Sequence, residues 1–331
     1  MTQPHYDVVA IGNAIVDVIA QADDAFLAEH ALTKGGMQLI DADTADLLYS
    51  QMSAAREMSG GSAANTLAGL AALGKACGFI GQVADDQLGR IFAHDIRALG
   101  VHYETATGNG GAPTARCLVL VTPDAQRTMN TFLGASQHLP AAALDADLIR
   151  AGGILYLEGY LWDPEEPRAA MRSAIELAQS AGRKIAFTLS DGFVIDRHRA
   201  DFMELIDQGM IDILFSNEAE IQALAQVDGF DKAVDAISPK VPVLVSTRSE
   251  KGAIAIADGT RYEVYAAPVG EVIDTTGAGD LFAAGFLAAY VEGQDMEQCL
   301  KLGAVAAAEV ISHYGARPEA DLKILRAKAG L

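Results

Sequence analysis

Short apolar runs alternating with helix-length segments restrict the fold of this chain more than any other feature. Gly153–Glu158, Lys184–Leu189, Ile211–Phe215 and Pro242–Ser246 are brief and predominantly apolar. Pro164–Ala181, Asp196–Gln208 and Asn217–Gln226 lie between them, with helical length and periodicity. Strands alternating with helices close through right-handed crossovers into a mostly parallel sheet covered on both faces. Tyr6–Gly12 (YDVVAIG) reads as a further buried strand. Two regions break the rhythm. Asp17 to about Ile40 carries strand-like runs around a short helical piece, and Thr114–Thr122 with Arg127–Leu133 forms a hairpin-like pair around Pro123-Asp124-Ala125. The expectation is an α/β fold in three layers, α/β/α, with a small β-rich lid. One domain spans 1–331, and the lid is built from about 14–40 and 101–133.

Charge narrows the partners. The chain has 44 acidic against 24 basic residues, a net charge of -20. Nucleic acids and anionic membranes call for a positive surface, so neither is expected. A small anion remains open, because backbone N–H groups, a helix N-terminus and Mg²⁺ can hold one. Cys77, Cys117 and Cys299 are scattered, show no metal spacing, and are expected to be buried thiols. The opening Met-Thr-Gln-Pro-His-Tyr-Asp lacks the basic region of a leader, and Leu281–Val291 is too short to span a bilayer. A cytoplasmic protein, monomer or homodimer, is the expectation.

The chemistry concentrates in Asp274-Thr275-Thr276-Gly277-Ala278-Gly279-Asp280, which opens an Ala/Gly-rich helix. Two glycines let successive N–H groups point one way, and the helix dipole adds positive character, so Gly277, Ala278 and Gly279 make an anion hole. Asp280 falls in the first helical turn. A carboxylate beside an anion hole is repulsive unless it works, and the work that fits is to accept a proton from an attacking hydroxyl. The plainer alternative is an Asp capping a helix.

DTTGAGD resembles the C-terminal signature of the ribokinase-like (PfkB) carbohydrate kinases. Gly60-Gly61-Ser62-Ala63-Ala64-Asn65 resembles their N-terminal signature, in the correct order and roughly 215 residues earlier. The resemblance implies a ribokinase-like fold, ATP and Mg²⁺, and a sugar or nucleoside acceptor. On the substrate side Gly60 and Gly61 read as a glycine turn opening a helix, with Ser62 as N-cap, or as a hinge with close ligand approach, and the resemblance makes Gly61 and Asn65 contacts to sugar hydroxyls. Asp17 resembles the residue that grips those hydroxyls, with Asn13 its neighbour; a turn cap is the alternative. On the nucleotide side, Asn217-Glu218-Ala219-Glu220 resembles the motif that organises Mg²⁺ and its waters, with Glu220 acting through water. An ordinary capped helix start is the alternative there. Thr247, Gly252, Thr276 and Gly279 are nucleotide candidates, and Arg127 resembles an arginine that reaches the transferred phosphate. Asp274, Thr276 and Gly315 stand where a K⁺ site would be expected, although His313 and Glu319 depart from some family patterns.

Two decoys fall away. Gly69 to Ala76 approaches a P-loop but has no hydroxyl at Ala76 and follows a helix, and no GxGxxG follows the first strand. Within the family, GNAIVD, Gln38 in GGMQLIDAD, DAQRTMNTFLGAS and LEGYLWDPE look most like the adenosine kinases. That branch implies Gln38 in the nucleoside pocket and Ile15, Tyr160 and Trp162 as an apolar wall, or else plain packing between lid and core. The expected reaction is phosphorylation of adenosine at its 5′-hydroxyl. A free-sugar kinase is the first alternative, and a silent nucleoside binder the second.

Overall fold

The computed structural model describes residues 4–108, 111–124 and 126–331. The opening Met-Thr-Gln and the last residue of the Pro123-Asp124-Ala125 turn therefore lie outside the described residues. The strands in chain order are β1 (Tyr6–Ile11), β2 (Ile15–Gln21), β3 (Met37–Leu39), β4 (Arg56–Gly60), β5 (Cys77–Ile80), β6 (Ala115–Val121), β7 (Arg127–Phe132), β8 (Gly152–Glu158), β9 (Lys184–Thr188), β10 (Ile213–Asn217), β11 (Val243–Thr247), β12 (Ala253–Ala257) and β13 (Thr260–Val264).

Among the described residues the central sheet has eight strands in the order β13-β12-β11-β10-β9-β8-β1-β5. From β5 to β11 every pairing is parallel, and β12 and β13 add an antiparallel edge. Central strands such as β1 and β8 are buried along nearly their whole length, which is why their sequences read as unbroken apolar runs. Helix Gly192–Asp207 starts four residues before the expected Asp196. Its cap is Asp191, whose side chain accepts the Phe193 N–H, and it kinks at His198. Helices Ser62–Ala72, Ala278–Val291 and Met296–Val310 stack closely on the other face. A Cβ on Gly69 would lie 2.6 Å from the Leu281 side chain, and one on Gly285 would lie 2.4 Å from the Leu302 carbonyl oxygen.

A second sheet of five strands runs β3-β7-β6-β2-β4. The expected hairpin is there as β6 and β7. Strand β4 runs straight into the Gly60-Gly61 pair and carries no apolar run to announce it. Its sequence REMSG is polar because it is an edge, paired to β2 alone. Val101 to Tyr103, counted with the lid in sequence, instead lies against the central sheet: His102 bridges Gly78, and Val101 and Tyr103 are buried in the main core. All three cysteines are buried free thiols. Among the described residues no helix is long and apolar enough to cross a membrane.

Candidate active site

The C-terminal ends of the parallel strands meet the second sheet, and the chemistry-bearing residues gather in that crevice. After β1 the chain passes through Gly12, where a Cβ would sit 2.5 Å from Ala63 Cβ and 2.9 Å from Glu158 Oε2. Glu158 ends β8 and is fully buried. Its Oε1 accepts both the backbone N–H and the Nδ2–H of Asn13, each at 2.8 Å, and its Oε2 accepts the Ala63 N–H at 2.8 Å. Burial pushes this carboxyl up to about 7, against the pull of those donors. Glu158 thus ties Asn13, just after β1, to the start of helix Ser62–Ala72. The one signal for Glu158 in the sequence is a lone acid ending the apolar run GGILYLE.

Asp280 sits in the first turn of helix Ala278–Val291, with Gly277 as N-cap at φ 78°. A Cβ there would lie 2.8 Å from Ala316, so glycine is needed on both counts. Asp280 Oδ1 accepts from the Ser62 hydroxyl at 2.6 Å, and Oδ2 accepts from Asn65 Nδ2 at 3.1 Å. Burial raises its carboxyl, while both donors favour the ionised form. Ser62 is therefore not the N-cap: Gly61 is, without a side-chain cap, and the Ser62 hydroxyl is spent on Asp280 instead. Of the three N–H groups expected to make an anion hole, that of Ala278 turns back onto the Thr275 carbonyl at 3.2 Å. A Cβ on Gly279 would meet nothing within 4 Å, so the space beside it is open.

The second sheet faces this point with Asp17, whose register partners are Met58 on β4 and Cys117 on β6. Burial pushes the Asp17 carboxyl up to about 6, opposed by the Arg317 and Arg127 guanidinium groups, with Asp280 and Asp274 adding repulsion. The two glycines are fixed by contact. A Cβ on Gly60 would lie 2.4 Å from Asp17 Oδ2, and one on Gly61, at φ +98°, would lie 2.2 Å from the Asn13 carbonyl oxygen.

Arg127 opens β7, and its side chain is only 10% exposed. Its Nη1 lies 2.6 Å from Asp274 Oδ2 and donates to Thr276 Oγ1 at 3.2 Å, and its guanidinium sits 5.4 Å from the Tyr314 ring centroid. Its Nε and Nη2 are buried without partners. Asp274 is fully engaged: Oδ1 takes the N–H and hydroxyl of Thr276 at 3.0 and 2.7 Å, and Oδ2 takes the Gly315 N–H at 2.9 Å as well as Arg127. A guanidinium already neutralises that carboxylate, so these residues do not fit a K⁺ site on the Asp274 side chain.

On the nucleotide side Asn217 and Glu220 form a reciprocal capping box. Asn217 Oδ1 accepts the Glu220 N–H at 2.8 Å, and the Glu220 oxygens accept the Asn217 N–H and Nδ2–H at 2.9 and 2.6 Å. Burial pushes the Glu220 carboxyl up to about 7, with Asp191 adding repulsion. Among the described residues no group of three or more acidic, His or Cys residues is placed to hold a metal. Glu220 fits a role in which it would hold a water of Mg²⁺, the ion itself being carried largely by phosphate oxygens. Thr247 ends β11 near Ser216. Gly252 is explained by backbone crowding, since a Cβ would lie 2.0 Å from the Val264 carbonyl oxygen.

Two residues are not brought to the site. Gln38 pairs with Asn130 in register, whereas Asp17 shares its row with Thr131 through Cys117, so their side chains lie on opposite faces of the sheet. The Gln38 amide is tied to Asn130 Oδ1 at 2.9 Å. Trp162 is buried against Phe187 and Phe202, in the core on the face of the central sheet opposite Val101 and Tyr103, rather than in a pocket wall. Ile15 does share the Asp17 face, two residues away, and Tyr160 feels Asp191, Asp280, Glu220 and Glu158 together.

Known proteins share this fold. The structure of a probable sugar kinase from Rhizobium etli CFN 42 superposes with a TM-score of 0.93 at 46% identity, covering 99% of each chain. An adenosine kinase from Sinorhizobium meliloti superposes with a TM-score of 0.91 at 47% identity, covering 98% of this chain and 99% of that one. A ribokinase from Arabidopsis thaliana is 29% identical over 273 residues, 79% of this chain and 69% of its own length. The pfkB family carbohydrate kinase model matches residues 7–322, nearly the whole length that carries the two glycine motifs, Glu158 and Asp280. The chain belongs to the pfkB family of carbohydrate kinases.

Proposed function

We propose that this ATP-dependent phosphotransferase moves the γ-phosphoryl group of ATP to the 5′-hydroxyl of adenosine, giving AMP and ADP. The observation that carries the reading is the Asp280 carboxylate, held by Ser62 and Asn65 beside the open space at Gly279. Asp280 takes the hydroxyl proton as the new O–P bond forms and the bond from the γ-phosphorus to the bridging oxygen breaks. The Gly277 and Gly279 N–H groups receive phosphoryl oxygens, and the unpartnered Arg127 Nε and Nη2 suit the same charge. Mg²⁺ when bound neutralises the β- and γ-oxygens. Asp17 accepts from the ribose diol, and a swing of the second sheet about Gly60-Gly61 excludes competing water.

The row around Asp17 favours a nucleoside over a hydroxyl-rich sugar. Met58, Cys117, Thr131 and Leu39 share its face, and Leu39 is 58% exposed. A recess of about 170 Å³ that includes Leu39, Thr131 and Phe132 adjoins it. The apolar side chains of this row suit the face of a base, and Thr131, Gln137 and His138 of the recess supply polar contacts at its edge. The 47% identity with the Sinorhizobium meliloti adenosine kinase supports the same acceptor. The rival is a free sugar, supported by the Rhizobium etli relative. ADP release from Mg-ATP with adenosine, inosine, guanosine, ribose and fructose in parallel separates them. Adenosine alone should support strong turnover, and turnover with free sugars only would replace the acceptor.

Glu220→Gln separates charge from capping. Gln can complete the same box, while the buried charge disappears. A carboxyl raised from 4.5 to about 7 costs stability as pH rises through that window. The variant should therefore lose less stability than the parent in melts between those pH values. Its Mg-ATP turnover should fall about tenfold or more, with a raised Mg²⁺ requirement. An unchanged Mg²⁺ titration would remove Glu220 from the metal's surroundings.

A further inference from the structure

Arg317 lies in neither glycine motif, yet it joins them. It sits in the loop after helix Met296–Val310, and its Nε donates to Asn65 Oδ1 at 3.4 Å. Its Nη1 donates to Ser59 Oγ at 2.5 Å, and Ser59 donates both its N–H and its hydroxyl to Asp95 Oδ2, at 3.1 and 3.2 Å. Asn65 Nδ2 in turn donates to Asp280 Oδ2 at 3.1 Å. A continuous hydrogen-bonded path thus runs from Asp95, through β4 of the second sheet and Arg317, to Asp280.

We propose that Arg317 is a positioning residue for the catalytic carboxylate, locking the Asn65 amide so that its nitrogen faces Asp280. The argument is one of donor inventory. A guanidinium can only donate, so the amide oxygen must turn toward Arg317 and the amide nitrogen toward the carboxylate. Without Arg317 the amide is free to flip, bringing its oxygen against Asp280 and withdrawing a donor from the ionised form. The path also includes Ser59, which directly precedes the Gly60-Gly61 pair. The lock is therefore complete only while β4 is in place, which ties base alignment to the position of the second sheet.

Charge supports the same assignment. Burial lowers the Arg317 guanidinium to about 10, with Asp17 and Asp95 holding it up, so it stays a cation at neutral pH. The titratable groups that feel the Asp280 charge are acidic or phenolic: Asp17 from β2, Glu158 and Tyr156 from β8, and Tyr160 from the turn after it. Arg317 Nη2 is buried without a partner in this acidic surround.

The role rests on the reading of Asp280 as the base, and its test does not depend on the acceptor. Carboxylate ¹³C titration of Asp280 in the full chain without substrate should give a higher pKa in Arg317→Met than in the parent. With whichever acceptor the parent phosphorylates, kcat of Arg317→Met should fall about tenfold to a hundredfold. Its acid limb should move to higher pH, with KM for ATP unchanged. The Arg317→Met/Asn65→Ala double variant should be no slower than Asn65→Ala, because the effect passes through that amide. Arg317→Lys keeps a charge near Asp17 and Asp95 but loses the planar fork, so it should recover melting temperature without recovering the Asp280 titration. It also serves if Arg317→Met fails to fold. An unmoved titration in both variants, full recovery by lysine, or losses that multiply in the double variant would each overturn the assignment. A parent that ignores adenosine would sink the acceptor alone and leave the titration to decide Arg317.

Discussion

Asp280→Asn is expected to lower kcat by about two to four orders of magnitude, the range that a positioned general base supplies. The side chain keeps its size, and an amide oxygen can still accept from Ser62 or Asn65, though its NH₂ opposes the other donor. The nucleoside should bind within a few-fold of its affinity for the parent, since Asp17, which accepts from the ribose diol, is untouched. Single-turnover phosphoryl transfer beside calorimetric binding measures both quantities. In the parent, burial raises the Asp280 carboxyl, so kcat should decline as pH falls through its pKa and the base takes up a proton. That acid limb should be missing from the residual activity of the variant. Near-normal turnover would take Asp280 out of proton transfer.

Gly279→Ala should divide stability from activity. Gly279 lies in the first turn of its helix, and a Cβ there meets no atom within 4 Å. Replacing a helical glycine with alanine commonly adds about 0.5–1 kcal/mol of stability. The methyl group, however, would enter the space proposed for the transferring phosphoryl group. Turnover should drop about a hundredfold, comparable to losing one oxyanion donor, while the melting temperature holds or rises. Gly277→Ala makes the contrast, because its positive φ and the Ala316 contact at 2.8 Å predict a loss of stability as well. A Gly279→Ala enzyme that is both stable and fully active would place the phosphoryl group elsewhere.

What sequence reading reached, and where it stopped, follows from physical signals. Strands β1, β8, β9 and β11 are buried on both faces and announce themselves as apolar runs. β4 is a polar edge and does not. Asp280 stood out because a carboxylate beside two glycines is chemically odd. Its donors Ser62 and Asn65 were within the second motif, but no local pattern shows a hydroxyl bonding across 218 positions instead of capping its own helix. Glu158 and Arg317 are single charged residues without a motif, and only the fold shows how many donors and acceptors converge on them. Gln38 failed for a different reason: a three-residue strand is too short to reveal its phase, and pairing with β7 turned it away from Asp17.

The burial of Trp162 has an optical consequence. It is the one tryptophan in the chain. Its ring meets Phe187 and Phe202 edge-on at 5.9 and 5.7 Å, its Nε1–H is held by Asp201 at 2.8 Å, and Arg172 lies 5.4 Å from its ring centroid. Indole emission therefore reads the integrity of this core from a single, dry reporter. It will move to longer wavelength when that core melts, and it will stay dark to events between the two sheets. Movement of the second sheet calls for its own chromophore, and a tryptophan placed at exposed Leu39 would give that movement a signal separable from unfolding.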